Sequence, residues 1–244
     1  MSIPFKQKLS VGAYVVKQKL LGNKRYPLGW GRQGCLDFIL KEIRKNPYVS
    51  AHDLARAVVH EALDKEVEHK AGDDISCVVL YFRKPRKLLV LTGPPFDEDK
   101  DREFAELVSS YDGKTVICGG TTANIVEREL CLKCEIDKTS FDDKIPMASI
   151  MDGVDLVTEG ILTLTEVYRM LKEGIDKNKN NAAVRLAKLL LDSDRIDFVV
   201  GTKINIAHQD PSLPMELEIR RNIVKKIFRL LQSQYLKEIS VRYI

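Results

Sequence analysis

Between Leu88 and Thr202 one local grammar recurs: an apolar run short enough for a strand, a turn of small and polar residues, then a stretch with helical spacing. Leu88-Leu89-Val90-Leu91 ends in Thr92-Gly93-Pro94-Pro95, and a helical pattern follows near Asp99 to Ser109. Thr115-Val116-Ile117-Cys118 ends in Gly119-Gly120-Thr121-Thr122 and runs into a helix from about Ala123 to Leu130. Val154-Asp155-Leu156-Val157 passes through Thr158-Glu159-Gly160 into a helix carrying Val167 and Leu171, and Ile196 to Val200 leads into Gly201-Thr202. Continuous apolar strands are covered on both faces, and parallel neighbours need a crossover that a helix supplies. Residues 87–244 are therefore expected to form a three-layer α/β domain with a largely parallel sheet.

That architecture directs attention to the turns. Loops at the carboxyl ends of parallel strands line one crevice. There glycine lets a ligand approach the main chain, and a helix N-terminus offers N–H donors to an anion. Gly119, Gly120, Thr121 and Thr122 are the best-placed set, between an apolar strand and a helix. They lack the P-loop lysine and the full dinucleotide fingerprint, so two readings stand: a phosphate or nucleotide site, or a tight turn without a ligand. Glu159 ends another strand, where its carboxylate can accept from a ribose or an amine, bind a cation, or simply favour a helix start. Thr163 and Thr165 are candidate caps or ligand contacts. Asp210, with His208 in the polar loop Ala207 to Pro214, is a candidate ligand-binding residue. Asn178 to Asn181 reads as a connector. A long terminal helix carries Leu217, Ile219, Ile223, Val224, Ile227, Leu230 and Leu231 as an apolar stripe.

Upstream the pattern differs. Leu36, Ile39, Leu40 and Ile43 recur at helical spacing from Cys35 to Lys45, and Asn46-Pro47 stops them. Ser50, with Asp53 three positions later, opens a second helix through Leu54, Ala57, Val58 and Leu63. Gly72 breaks that pattern, and Ile75 to Phe82 reads as a strand with Asp73-Asp74 at its mouth, either a metal-binding pair or a turn. The charged connector Arg83 to Arg86 places a boundary near residues 84–87. Residues 1–27 contain no acid; Leu9, Tyr14, Val15, Val16, Leu20 and Leu21 form one face of a docking helix or belong to a basic, solubilising arm.

Composition narrows the partners. The net charge of +4 over 244 residues, with cations scattered among acids, gives no case for nucleic acid. Five cysteines, an odd number with several in strand-like runs, suit a reducing cytoplasm better than a disulfide scaffold. Cys131-Leu-Lys-Cys134 lacks the second ligand pair of a structural zinc site. The N-terminus lacks a signal peptide's h-region, and no apolar run reaches the ~18 residues of a membrane span. Surface contact with a membrane through the basic N-terminus is not expected.

Two groups of motifs carry a family resemblance. Tyr26-Pro27-Leu28-Gly29-Trp30-Gly31, the helices after it and Gly72-Asp73-Asp74-Ile75-Ser76 resemble the end of the phosphatase domain of SpoIIE-like protein serine/threonine phosphatases of the PPM superfamily. Thr92-Gly93-Pro94-Pro95-Phe96, Cys118 to Ala123, Thr158 to Thr163 and His208-Gln209-Asp210-Pro211 are similar to an α/β extension found in one subgroup. The resemblance implies a metal-dependent phosphatase in signalling, with Mn²⁺ or Mg²⁺ held by aspartates and a metal-bound water attacking phosphoserine or phosphothreonine. Asp74, with Asp73 beside it, matches the family's last metal ligand. The other metal aspartates of the family have no counterpart before Tyr26. The expectation is an incomplete phosphatase remnant at 28–84, inactive alone and without retained metal, followed by the extension at 87–244.

Residues 1–27, through Val11 to Leu20 and Lys24-Arg25-Tyr26-Pro27-Leu28, resemble the start of hopanoid-associated radical SAM enzymes; the cluster cysteines of that family do not follow. The expected partners are a phosphoprotein or small phosphorylated ligand, and either a second copy or a missing N-terminal half. The alternative to a phosphatase is a non-catalytic regulatory module that binds a nucleotide or phosphorylated ligand through Gly119 to Thr122.

Overall fold

The structure is a computed structural model describing residues 8–12, 30–47, 49–71, 74–82, 84–176, 178–203 and 213–244. It divides into two compact units, Met1–Lys84 and Pro85–Ile244.

In the first unit, β1 (Lys8–Gly12) pairs antiparallel with β2 (Val78–Phe82), with Ser10 opposite Leu80. The docking-helix reading of the N-terminus therefore fails at Leu9, which lies in a strand whose partner is some seventy positions away, beyond the reach of local periodicity. Helix α1 (Gly31–Lys45) ends at Asn46, whose N–H donates to the Glu42 carbonyl at 3.0 Å. Helix α2 (Ala51–Asp64) starts at Ser50, whose hydroxyl oxygen accepts from the Asp53 N–H at 3.0 Å. Cys35, Ile39, Leu54 and Val58 form the buried centre, ringed by Trp30, Phe38, Ile43, Val49, Cys77 and Val79. Alternation along the strand turns Cys77 and Val79 to that core and leaves Val78 and Leu80 exposed. The strand is shorter than the expected Ile75 to Phe82, because pairing with β1 begins only at Val78.

The second unit is α/β. Its elements run β3 (Lys87–Thr92), α3 (Asp101–Ser110), β4 (Lys114–Cys118), α4 (Gly120–Leu130), β5 (Cys134–Ile136), β6 (Ser149–Met151) and β7 (Val154–Thr158). They continue with α5 (Ile161–Glu173), α6 (Ala182–Asp192), β8 (Arg195–Val200), α7 (Leu213–Tyr235) and β9 (Glu238–Tyr243). One seven-stranded sheet has the order β5-β6-β7-β4-β3-β8-β9. β7, β4, β3, β8 and β9 are parallel neighbours, and β5 and β6 add an antiparallel margin. Taken in chain order, the parallel strands lie 3-2-1-4-5, the first part of the doubly wound order.

Strand alternation splits the core into two layers. Leu88, Val90, Val116, Leu156, Ile196, Phe198 and Val200 meet α5, α6 and α7, while Leu89, Leu91, Ile117, Val157 and Val199 meet α3 and α4. Every apolar residue of β3 is buried, so this central strand has no solvent face, as its unbroken Leu-Leu-Val-Leu run demands. Asn181, expected in a connector, is instead the N-cap of α6, its side-chain oxygen accepting from the Val184 N–H at 2.9 Å. The segment between α4 and β7 is held to α6 by Asp137, which accepts from the Thr139 hydroxyl and from Arg185; these partners lower its pKa to about 2. Among the described residues no helix is long and apolar enough to cross a membrane.

Candidate functional site

Two pairs of neighbouring parallel strands send their following helices to opposite faces of the sheet, and each pair opens a crevice at its carboxyl edge. One pair is β3 and β8, followed by α3 and α7; the other is β4 and β7, followed by α4 and α5.

Main chain fills the first crevice. Gly201 N–H donates to the Thr92 carbonyl at 2.9 Å and Lys203 N–H to the Pro94 carbonyl at 3.2 Å. The Ile244 carbonyl, beyond β9, accepts from the N–H groups of Phe96 and Thr202 and from the Thr202 hydroxyl. A Cβ on Gly201 would lie 2.0 Å from the Pro94 oxygen, and the Arg220 guanidinium sits where a side chain on Gly93 would project. Among the described residues the β3/β8 mouth is thus sealed by its own loops. His208 and Asp210, the expected contributors from the loop after β8, lie outside the described residues.

The second crevice is built differently. The Gly119 N–H donates to the Thr158 carbonyl at 2.8 Å, tying the end of β4 to the end of β7. Gly119 has φ 125° and ψ 133°, a conformation open to glycine and strained for residues with a Cβ. Its turn aims the start of α4 at the crevice. Gly119 is the N-cap, so no side chain caps the helix, and the first turn contains no acid. The first intrahelical bond of this turn runs from the Ala123 N–H to the Gly119 carbonyl. The amides of Gly120, Thr121 and Thr122 are the orphan donors that every helix start presents.

Two further features mark this turn, the second of them shared by Thr92 at the end of β3, whose buried hydroxyl likewise has no partner among the described residues. A Cβ on Gly120 would meet nothing within 4 Å, and its φ is not positive, so the fold does not require glycine there. Thr122 is 1% exposed, yet its hydroxyl has no hydrogen-bond partner among the described residues. That oxygen lies 3.4 Å from where a Gly119 Cβ would sit, and so next to the turn. An unpaired buried hydroxyl costs about 1–3 kcal/mol, which a bound acceptor or donor would recover.

The structure brings Gly119, Gly120, Thr121 and Thr122 together with Glu159, exposed at the end of β7. Cys118, directly before the glycines, is fully buried; burial, the largest cause, pushes its thiol up to about 12, so it packs as an apolar group and supplies no thiolate. Thr165 turns inward on its own helix, donating to the Ile161 carbonyl at 2.8 Å. Gly160 is a site residue that the turn sequence by itself did not single out: a Cβ there would touch Gly119 Cα at 3.4 Å, so the two strand ends meet glycine to glycine. Its signal is the position it shares with Gly119, immediately before a helix.

Asp74 is exposed ahead of β2, and Asp73 lies outside the described residues. No group of three or more His, Cys, Asp or Glu among the described residues is placed to hold a metal ion, so they do not form the cage a two-metal phosphatase needs. Cys131 ends α4 with φ 52°, and Cys134 begins β5; both are free. Compared with protein-family models, curated proteins and solved structures, the chain matches none.

Proposed function

We propose that the second unit is a binding module for a nucleotide or other small phosphorylated ligand, holding a phosphoryl group at the Gly119–Thr122 turn. One observation carries this reading: the buried Thr122 hydroxyl faces an uncapped helix start without a partner. A phosphoryl group there accepts from the first-turn amides of α4 and from Thr122, and the helix dipole favours its charge. Gly120 lets the phosphate approach the main chain. Glu159, an acceptor on the opposite lip, suits a ligand that carries a hydroxyl or amine beside its phosphate.

Titrating the full chain with inorganic phosphate should shift the backbone amide resonances of Gly120, Thr121 and Thr122. Thr122→Val should weaken that binding roughly ten-fold or more, the worth of one hydrogen bond to a charged group. It should leave the fold as stable as before or more so, since valine keeps the shape and removes an unpaired hydroxyl. Unchanged affinity in Thr122→Val, or no shift at these amides, refutes the reading.

For the chain as a whole we keep the phosphatase reading as a proposal: a SpoIIE-like PPM relative in which the first unit corresponds to the end of the catalytic domain. The order α1, α2, β2 with Asp74 before the strand supports it. Among the described residues no group of three or more His, Cys, Asp or Glu is placed to hold a metal ion. The expected result is no Mn²⁺-dependent hydrolysis of a phosphoserine peptide above background. Hydrolysis that Asp74→Asn abolishes would instead establish a working metal site.

A further inference from the structure

Two helices begin at the β4/β7 crevice, and they begin alike. Both α4 and α5 have glycine as N-cap, no side-chain cap and no acid in the first turn. Each carries a threonine at its third position, Thr122 and Thr163, at 1% and 0% exposure. Neither hydroxyl has a partner among the described residues. A threonine inside a helix ordinarily bonds the carbonyl one turn back, as Thr165 does. For Thr163 that carbonyl belongs to Glu159, and it accepts from the Thr158 hydroxyl at 2.8 Å instead.

The glycine N-caps are neighbours. A Cβ on Gly119 would lie 4.0 Å from Gly160 Cα, and one on Gly160 3.4 Å from Gly119 Cα. No side chain can stand between the two helix starts at this point, and the helices diverge to opposite faces of the sheet. Two positively polarised ends therefore meet over one crevice, where their partial charges repel. A single phosphoryl group faces only one of them; two joined phosphoryl groups face both.

From this pairing, and resting on the phosphoryl-binding reading above, we infer that the site takes a diphosphate group, with one phosphoryl at Gly120–Thr122 and the other at Ile161–Thr163. The ligand class is inorganic pyrophosphate or a small molecule, such as a nucleoside diphosphate, that carries the same group.

The test uses the full chain titrated separately with orthophosphate, pyrophosphate and ADP, following backbone amide resonances and measuring affinity by calorimetry. Pyrophosphate is expected to shift both Gly120–Thr122 and Ile161–Thr163 and to bind roughly ten-fold or more tightly than orthophosphate. Thr163→Val should reduce that advantage and diminish the pyrophosphate shifts at Ile161–Thr163, whereas Thr122→Val should weaken both anions. ADP shifting both sets supports the inference with a nucleoside as carrier; pyrophosphate alone doing so supports it with the free anion. If pyrophosphate moves only Gly120–Thr122 and binds no tighter than orthophosphate, the inference is overturned and the phosphoryl site stands. If no anion moves either set, both are overturned.

Discussion

Gly201→Ala is expected to destabilise the second unit by about 3 kcal/mol or more, at the upper end of what overpacking costs. The added methyl would lie 2.0 Å from the Pro94 oxygen, 2.2 Å from its carbonyl carbon and 2.3 Å from the Gly93 oxygen. All three atoms are main chain, so no rotamer change relieves the contact. Relief requires moving the loop after β3 or the end of β8. That movement breaks the Gly201 to Thr92 and Lys203 to Pro94 hydrogen bonds that close the β3/β8 mouth. For a unit of this size the loss corresponds to a melting temperature lower by roughly 6–12 °C. Thermal unfolding followed by circular dichroism measures it, and a shift of less than about 2 °C would mean that the two loops are not in contact.

Gly119→Ala is expected to abolish phosphate binding, with a smaller effect on the fold. At φ 125° an alanine pays backbone strain of order 1–3 kcal/mol, and its methyl would sit 3.4 Å from the Thr122 hydroxyl, inside the crevice. The variant therefore crowds the phosphoryl position beside Thr122. Gly120→Ala is the contrasting substitution. It meets open space and gains helix propensity, up to about 0.5–1 kcal/mol, so the unit should melt no lower than wild type. Isothermal titration with inorganic phosphate at matched fractions folded distinguishes the two effects. Phosphate affinity within two-fold of wild type in Gly119→Ala would remove the turn from the binding site.

Much of the architecture was legible in local pattern. β3, β4, β7 and β8 follow from mostly apolar runs of four or five residues closed by small polar turns, and α3, α4, α5 and α7 from spacing after those turns. Several elements that escaped have a signal that is weak or not local; α6 escaped as well, although its apolar spacing is local. β5 and β6 span three residues each, too short for alternation to register. β9 does alternate, with Ile239 and Val241 against the core, but its identity as a strand rests on pairing with β8 along its length. β1 was legible only through β2, its distant partner. Asn181 looked like part of a connector because asparagine favours turns and N-caps alike, and only the Val184 N–H tells them apart.

The site divides along the same line. Gly119, Gly120, Thr121 and Thr122 were marked by sequence, since only a strand, a glycine turn and a helix start in that order aim free amides at a crevice. Asp73 and Asp210 fall outside the described residues; Asp74 is exposed, and among the described residues no group of three or more His, Cys, Asp or Glu is placed to hold a metal ion.

What the residues determined alone is local: which runs are strands, where helices begin, and that a glycine turn joins one of those strands to its helix. Tertiary structure decided the strand order and, with it, which of two crevices is closed by its own loops. Hydrogen bonds between segments over a hundred positions apart close the β3/β8 mouth, while Gly160, forty-one positions from Gly119, meets it without a side chain. Neither relation has a period or a spacing in the chain. Both depend on crossovers that bring distant strand ends side by side, and those are selected by burial of the whole sheet.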